Sequence, residues 1–479
     1  MTAGDVRQMQ PGSEASRPSI LGVSSRADAE EDEQRYRPLP TGTHGLDPEL
    51  VKRDQRERLQ QAMIELIAAK GYPAVRIVDL AKLAHVSQPT FYSLFADKED
   101  LFMSAYEQAA RRTARTVMAA YDQDGPHGQR VVNAMRAWAE LAAAEPEAAS
   151  LLVLGAFGAG ARALERRTAV LEELEGAIHV SRDGTPASAP SDLTVKAIIG
   201  GIREVTAARL REGRAGELPA MSEELTAWAA CYPRRLPPGL EAPPVARRRP
   251  GAGVSAEPSE RARRAEGRLP SGRSDLPRQF IVKSQRERIV DATAAIVAEK
   301  GLSALTIPAI ARRANVSHQT FYDIYSSKHD AFLGAQKVGM HQALQITAAA
   351  YGERAEDWPR AVVAGARALI EFLVSEPAHA HLSLVDTFAS CPQALEIRGA
   401  TIQGFAAYLM PGYELDGKRR VPAIAAEAIA GGAWQIMHHY VQSGSLAELR
   451  GAVPQMTYFA LTPFLGPERA AAYALSDST

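Results

Sequence analysis

Gln88, Pro89, Thr90, Tyr92, Ser93 and Lys98 stand in one short stretch around two phenylalanines, Phe91 and Phe95. A glutamine amide can pair with adenine through two hydrogen bonds, and a threonine can meet a thymine methyl or a phosphate. A tyrosine hydroxyl can reach phosphate, and a lysine at a helix start adds a cation where backbone amides already favour anions. Phe91 and Phe95 lie four apart, so on a helix they share a face and can bury together, which turns Gln88, Pro89, Thr90 and Ser93 towards the opposite side. A second set follows 230 positions later: His318, Gln319, Thr320, Tyr322, Asp323 and Lys328, with Phe321 and Tyr325 as the burying pair. Asp323 takes the place of Ser93, where it would either accept from a cytosine amino group or repel a phosphate backbone.

The elements that must hold these groups are duplicated as well. Gln55-Arg56-Glu57-Arg58, Lys70-Gly71, Leu80-Ala81, Val86-Ser87 and Thr90-Phe91-Tyr92 recur without a gap as Gln285-Arg286-Glu287-Arg288, Lys300-Gly301, Ile310-Ala311, Val316-Ser317 and Thr320-Phe321-Tyr322. Arg58 to Lys70 carries Leu59, Ala62, Met63, Leu66 and Ile67 on one helical stripe and stops at Gly71. Ile289, Ala292, Ile296 and Val297 repeat that stripe before Gly301. Short second helices are expected over Ile77 to Ala84 and Ile307 to Ala314. Ser87 and Ser317 are good N-caps for third helices that run to about Leu94 and Ile324, and Lys98 and Lys328 open long fourth helices. A short helix, a tight turn and a third helix with small or polar outward groups make a helix-turn-helix.

The repeat continues beyond these heads. Glu145-Pro146 returns as Glu376-Pro377, Leu164-Glu165 as Leu395-Glu396, and Ala197-Ile198-Ile199-Gly200-Gly201 as Ala428-Ile429-Ala430-Gly431-Gly432, all at an offset of 231. A whole unit has been duplicated and fused, and its C-terminal part has diverged further than its head. The expected layout is a disordered tail over 1–48, a head over 49–110, a helical body over 111–232, a basic Pro/Arg-rich linker over 233–279, a second head over 280–340 and a second body over 341–479. Arg247-Arg248-Arg249 and Arg261-Ala262-Arg263-Arg264 give the linker its charge; they either keep a tether soluble or add unspecific phosphate affinity.

Bulk properties exclude more than they identify. A chain of 479 residues with 46% hydrophobic side chains has ample material for cores, and its net charge of −1 requires any positive surface to be local. Cys231 and Cys391 are too few for a disulfide framework or a thiolate metal site, which fits a cytoplasmic protein. No apolar run is long enough to span a bilayer, so no membrane partner is expected. His379-Ala380-His381 and His438-His439 carry metal-binding side chains, but such close pairs point apart on a helix and neither run includes a cysteine or carboxylate. No metal and no cofactor are expected. There is no nucleophile elbow, zinc-protease motif or phosphate loop either, so the chain does not read as an enzyme.

The segment from Val86 to Leu101, with Ser87-Gln88-Pro89-Thr90-Phe91-Tyr92 and Lys98, resembles the signature of the TetR family of bacterial transcriptional regulators. Val316 to Lys328 is similar to it as well. The resemblance implies an all-α fold of two TetR-like units in tandem. In each unit a three-helix helix-turn-helix head binds double-stranded DNA, and a helical body binds a small-molecule effector and dimerises through its last two helices. It also places Tyr92 and Tyr322 at phosphate. The family usually has a threonine near phosphate at the start of the second helix, which the second copy keeps as Thr306 where the first has the cation Arg76.

Under that resemblance the Gly-Gly pairs fall on the eighth helices. Glycine inside a helix costs about 1 kcal/mol relative to alanine, so two in a row point to close helix approach at a dimer seam. Both halves carry this helix, so they can pair within one chain across a linker whose flexible reach is about 38 Å; the other arrangement is a homodimer of fused chains with four heads. Phe372, Phe388, Trp434, Met437, His438 and Tyr440 are the candidates for an effector cavity in the second body, against the alternative that they are ordinary bundle core. The expected activity is that of a ligand-responsive repressor on an asymmetric operator; the rival is a sensor module with only one active head.

Overall fold

A computed structural model of the chain describes residues 47–154, 161–183, 193–245, 278–387, 392–415 and 420–476. The expected N-terminal tail, except its last two residues, and most of the expected linker lie outside that set. The described residues are helical and contain no strand.

Each half opens with a head. In the first, α1 (Pro48–Lys70), α2 (Ile77–Leu83) and α3 (Gln88–Leu94) are followed by the long α4 (Lys98–Tyr121). In the second, α10 (Arg278–Lys300), α11 (Ile307–Ala314) and α12 (His318–Ile324) are followed by α13 (Lys328–Gly352). The α1 helix begins ten residues before the expected Arg58, because Asp47 caps it by accepting from the Glu49 amide and Pro48 sits where no amide partner is needed. Leu59, Met63, Leu80, Phe91, Phe95, Leu101 and Phe102 close one head core, and Ile289, Val297, Ile310, Phe321, Tyr325 and Phe332 close the other. Ser87 accepts from the Thr90 amide at 3.1 Å and Ser317 from the Thr320 amide at 3.0 Å, so both third helices are capped as the sequence leads one to expect.

The tight turn before each third helix carries a non-glycine residue in the left-handed region, His85 (φ 51°) and Asn315 (φ 50°). Two arginines from the first helices brace these turns. Arg58 donates to the carbonyl of Ala84, and Arg288 donates to those of Ala314 and Asn315 at 3.0 Å each. A cation on the last carbonyls of a helix satisfies acceptors the helix cannot and opposes the negative end of its dipole. The arginines belong to the repeated Gln-Arg-Glu-Arg motif, which is where the sequence carries the signal for this brace.

The bodies follow. The first contains α5 (His127–Ala144), α6 (Pro146–Val153), α7 (Ala161–Asp183), α8 (Thr194–Arg211) and α9 (Leu218–Ala229). The second contains α14 (Trp358–Ser375), α15 (Pro377–His381), α16 (Pro392–Ala407), α17 (Ala425–Gln442), α18 (Val453–Leu465) and a further helix α19 (Pro467–Ser476). One hydrophobic core runs through both: Ala197, Val205, Trp228 and Tyr232 belong to the same cluster as Ile429, Trp434, Tyr458 and Phe459.

The seam between the halves is α8 against α17. A Cβ added at Gly201 would stand 2.4 Å from the carbonyl oxygen of Ala428, and one added at Gly432 would stand 2.6 Å from that of Ala197. The contacts are reciprocal, and only glycine permits them. Beside the seam Tyr232 stacks on Phe459 with ring centroids 4.7 Å apart and donates to its carbonyl at 3.1 Å.

The segment after α9 differs from the expected linker. Leu240 and Ala242 are buried in the shared core, Pro243 accepts from the Tyr440 hydroxyl at 2.7 Å, and Pro243 packs against Gly451. Residues 233–245 therefore strap the first half to the second body. Their few apolar groups, Leu236, Leu240, Ala242 and Val245, are spaced too irregularly to show a period among the prolines. No helix of the described residues is long and apolar enough to cross a membrane.

Candidate nucleic-acid interface

In both heads the third helix turns its aromatic pair inward and its polar groups outward. Phe91 and Phe321 are fully buried, while Tyr92 and Tyr322, the next residues, are 57% and 55% exposed. Gln88, Pro89, Ser93, His318, Gln319 and Asp323 are exposed, and Thr90 and Thr320 are partly so. Each tyrosine ring stands edge-on to the buried phenylalanine before it, at 5.3 Å and 5.6 Å, which fixes the outward direction of its hydroxyl.

The hydrogen bonds within these helices distinguish the two surfaces. In α3 the Ser93 hydroxyl donates to the carbonyl of Thr90 at 2.7 Å, so it is turned back on its own helix, and Gln88 is the freely presented amide. In α12 the Gln319 amide donates to Asp323 Oδ1 at 2.9 Å. The carboxylate orients the glutamine and leaves its Oε1 and one N–H facing out, the donor–acceptor set that matches adenine.

Three residues expected near phosphate have partners within the chain. Lys98 opens α4 as expected and is the most engaged of them. Its ammonium donates to the carbonyls of Tyr72 and Val75 at 3.1 and 3.0 Å and lies 4.1 Å from the centre of the Tyr72 ring, tying α4 to the loop after α1. Burial lowers its pKa and helps raise that of Tyr72 to about 12. Among the described residues the partly exposed Lys328 forms no such bonds, and leucines, Leu302 and Leu305, stand where the first copy has Tyr72 and Val75. Arg76 is exposed but held by Asp79, at 3.1 and 2.8 Å through Nε and Nη2, and Asp79 also accepts from Lys70 at 2.7 Å. Those two cations hold the Asp79 carboxyl well below its usual range. Thr306 caps α11, accepting from the Ala309 amide at 3.3 Å, a bond that Arg76 cannot make for α2.

The candidates for an effector cavity separate. Phe372, Trp434 and Met437 line a small apolar cavity of about 20 Å³ with Met340, Leu373 and Phe405, roughly enough room for one water molecule. His438 is buried and its Nδ1 lies 2.7 Å from the carbonyl of Leu384; with Trp434 it borders a different cavity at the α8–α17 seam. Tyr440 stands apart from both cavities. It is fully buried against the strap and lines neither cavity, because its hydroxyl is used on Pro243. Phe388 lies outside the described residues. The two histidine runs also resolve. His379 stands 3.3 Å from Asp291, and His381 stands 2.6 Å from Asp386. These are separate pairs with carboxylates that sequence proximity alone does not reveal for Asp291, and among the described residues no three metal-binding side chains gather.

The two heads coincide with the segments that match a known family. Residues 61–105 and 289–334 each match the model of the bacterial regulatory proteins of the tetR family. No curated protein shows a significant match to the chain. Among solved structures the chain is similar to the fatty acid degradation regulator FadR from Bacillus halodurans, at 17% identity over 36% of this chain and 96% of that one, with a TM-score of 0.33. It is similar to the transcriptional regulator FadR from Bacillus subtilis in complex with stearoyl-CoA at 18% identity, over 36% and 96% of the two chains, with a TM-score of 0.32. A TetR-like transcriptional regulator from Rhodococcus sp. RHA1 aligns at 13% identity over 37% and 95%, with a TM-score of 0.32. Two segments of one all-α chain, at the positions of the duplicated helix-turn-helix, match the family model, so the chain carries the DNA-binding head of the tetR-family regulators twice, in tandem.

Proposed function

We propose that this regulator is a ligand-responsive repressor that binds an asymmetric operator as a single-chain pseudo-dimer. Gln88, Pro89, Thr90 and Ser93 would meet bases and sugars in one half-site, and His318, Gln319, Thr320 and Asp323 in the next. Tyr92 and Tyr322 would hold phosphates, with Arg76, Thr306, Lys98 and Lys328 at the rim. Helix-turn-helix pairs read half-sites about 34–36 Å apart, one turn of DNA.

The observation that carries the pairing is one largely buried ion pair at the seam. Arg209 of α8 donates to both oxygens of Glu427 of α17, at 2.9 and 3.0 Å. At the 231-residue offset, the counterpart of Glu427 is Lys196 and that of Arg209 is Tyr440. Two first halves paired through α8 would set Arg209 against Lys196, and two second halves would leave Glu427 opposite a tyrosine. Like charges at a seam cost stability and reject the wrong partner. The unlike pairing is therefore favoured, and the strap of residues 233–245 keeps both helices on one chain.

An effector would act by binding one head spacing more tightly than the other. The apolar cavity beside Phe372, Trp434 and Met437 is the place from which such a ligand could wedge the second body. The test is footprinting on genomic fragments selected by the purified protein, with the mass of the complex measured in parallel. Protection of two dissimilar half-sites by one chain is expected; a perfect inverted repeat, or four heads per complex, overturns the reading.

A further inference from the structure

The apolar cavity of the second body has one polar end, and that end touches the second head. His379 of α15 lines the cavity and is 3% exposed. Its Nε2 stands 3.3 Å from Asp291 Oδ1 of α10, and its Nδ1 meets no hydrogen-bond partner among the described residues. Ser383 follows on a π-helical turn, Leu382–Asp386, and lines the same cavity. Turns of this kind recur at functional sites. Both polar atoms converge on Gly339 of α13: a Cβ added there would stand 3.2 Å from His379 Nδ1 and 3.3 Å from Ser383 Oγ. Most of the remaining lining is apolar, with Met340, Phe372 and Met437 among it.

The first copy shows that the fold does not need these groups. At the offsets of the repeat Gly339 corresponds to Ala109, His379 to Ala148, Ser383 to Leu152 and Asp291 to Gln61. Ala109 belongs to the first head core, and Ala148 and Leu152 pack against it, so the same junction closes there with hydrocarbon alone. Gln61 donates instead to Glu65 of its own helix at 2.9 Å. Burying a polar atom without a partner is unfavourable. One copy avoids that cost and the other accepts it, which is the mark of a group kept for use rather than for packing.

With Nε2–H donating to Asp291, a neutral imidazole leaves Nδ1 as an acceptor, and the serine hydroxyl can donate. A hydroxyl group matches that pair, since it donates to one atom and accepts from the other. We propose that the cavity takes a small apolar alcohol, and that its presence is passed to the second head through the His379–Asp291 contact. The ligand hydroxyl would lie beside Gly339, between His379 Nδ1 and Ser383 Oγ, with its hydrocarbon among Met340, Phe372 and Met437. The cavity holds about 20 Å³ as it stands, and methionine side chains, with three rotatable bonds each, can move to enlarge it. Leu382, beside Ser383, lies in the core of the second head, so movement of this turn reaches the same head by a second route. Ala148 offers the first head no such link, so the effect is one-sided. This deepens the effector reading by naming the ligand's chemical class, and rests on it.

The test titrates the full chain, isotope-labelled at its methionine methyls, with n-butanol and follows the methyl signals by NMR. Diethyl ether is the control, an isomer of n-butanol without an O–H, and butyrate tries a carboxylate in the same place. Saturable shifts of the Met340 and Met437 methyls with n-butanol alone are expected. Ser383→Ala should weaken that binding about five-fold, the worth of one hydrogen bond. Gly339→Ala, whose methyl narrows the space between the two polar atoms, should weaken it at least as much. No saturable response in the wild type overturns the proposal, and an equal response to the ether or a stronger one to butyrate overturns the hydroxyl assignment. Amide hydrogen exchange with n-butanol should change over α10 and α12 and stay the same over α1 and α3. A change in both heads, or in neither, overturns the transmission through His379. Operator binding by the same preparations, without alcohol, reports separately on the regulator reading.

Discussion

At the scale of single residues, the two tyrosines are the most direct probes of DNA contact. Each is more than half exposed, next to a fully buried phenylalanine, on a helix whose cap is intact. Losing one hydroxyl that bonds a phosphate costs about 1 kcal/mol, or about five-fold in affinity. Tyr92→Phe and Tyr322→Phe should each weaken operator binding by that order in fluorescence anisotropy, at unchanged stability, and the double variant should lose roughly the product. If only one of the two matters, the other head is idle. The Gln319–Asp323 hydrogen bond gives this scale a second lesson. Sequence left Asp323 as either a base acceptor or a repulsive charge; the fold gives it the work of orienting a neighbour. An i,i+4 pair of this kind is legible in principle, because those positions adjoin on any helix.

At the scale of elements, the Gly-Gly pairs decide whether α8 and α17 can meet. Alanine is the better helix former by about 1 kcal/mol, so Gly→Ala in a helix stabilises where there is space. Gly176 of α7 has nothing within 4 Å of an added Cβ, whereas at Gly432 the Cβ would meet the Ala197 carbonyl oxygen at 2.6 Å and the Phe459 ring at 2.7 Å. Urea denaturation should show Gly176→Ala neutral to stabilising by up to about 1 kcal/mol and Gly432→Ala destabilised by about 1–3 kcal/mol. Equal effects at both positions would mean that the seam is not a close contact in solution. The heads, by contrast, were readable to within a residue or two at most boundaries. Their caps, stripes and turn are local signals, and Gly71 and Gly301 end the first helices as the composition requires.

At the scale of the whole molecule, the two halves pack on one shared core. The shared core, the strap and the Arg209–Glu427 pair all cross between them. Breaking a buried pair from one side leaves an uncompensated charge and costs about 3–5 kcal/mol. Arg209→Glu and Glu427→Arg should each destabilise the chain by that order, and the swapped double variant should recover most of the loss. A double-mutant cycle with no coupling energy would remove the charge argument for unlike pairing, leaving the glycine contacts as its support.

The sequence by itself determined the resemblance of both heads to the tetR family, the all-α class, the tandem organisation and the outward groups of both third helices, because each depends on spacing within a few residues or on a repeat at constant offset. It could not place Lys98 on the carbonyls of Tyr72 and Val75, turn Tyr440 onto Pro243, or show that Leu240 and Ala242 of the segment after α9 lie in the core. Those outcomes depend on which distant surfaces meet. The same holds for the seam cavity. The correspondence of Arg167 with Arg398 is visible in the offset, but only the packing of α8 on α17 brings both to one buried place.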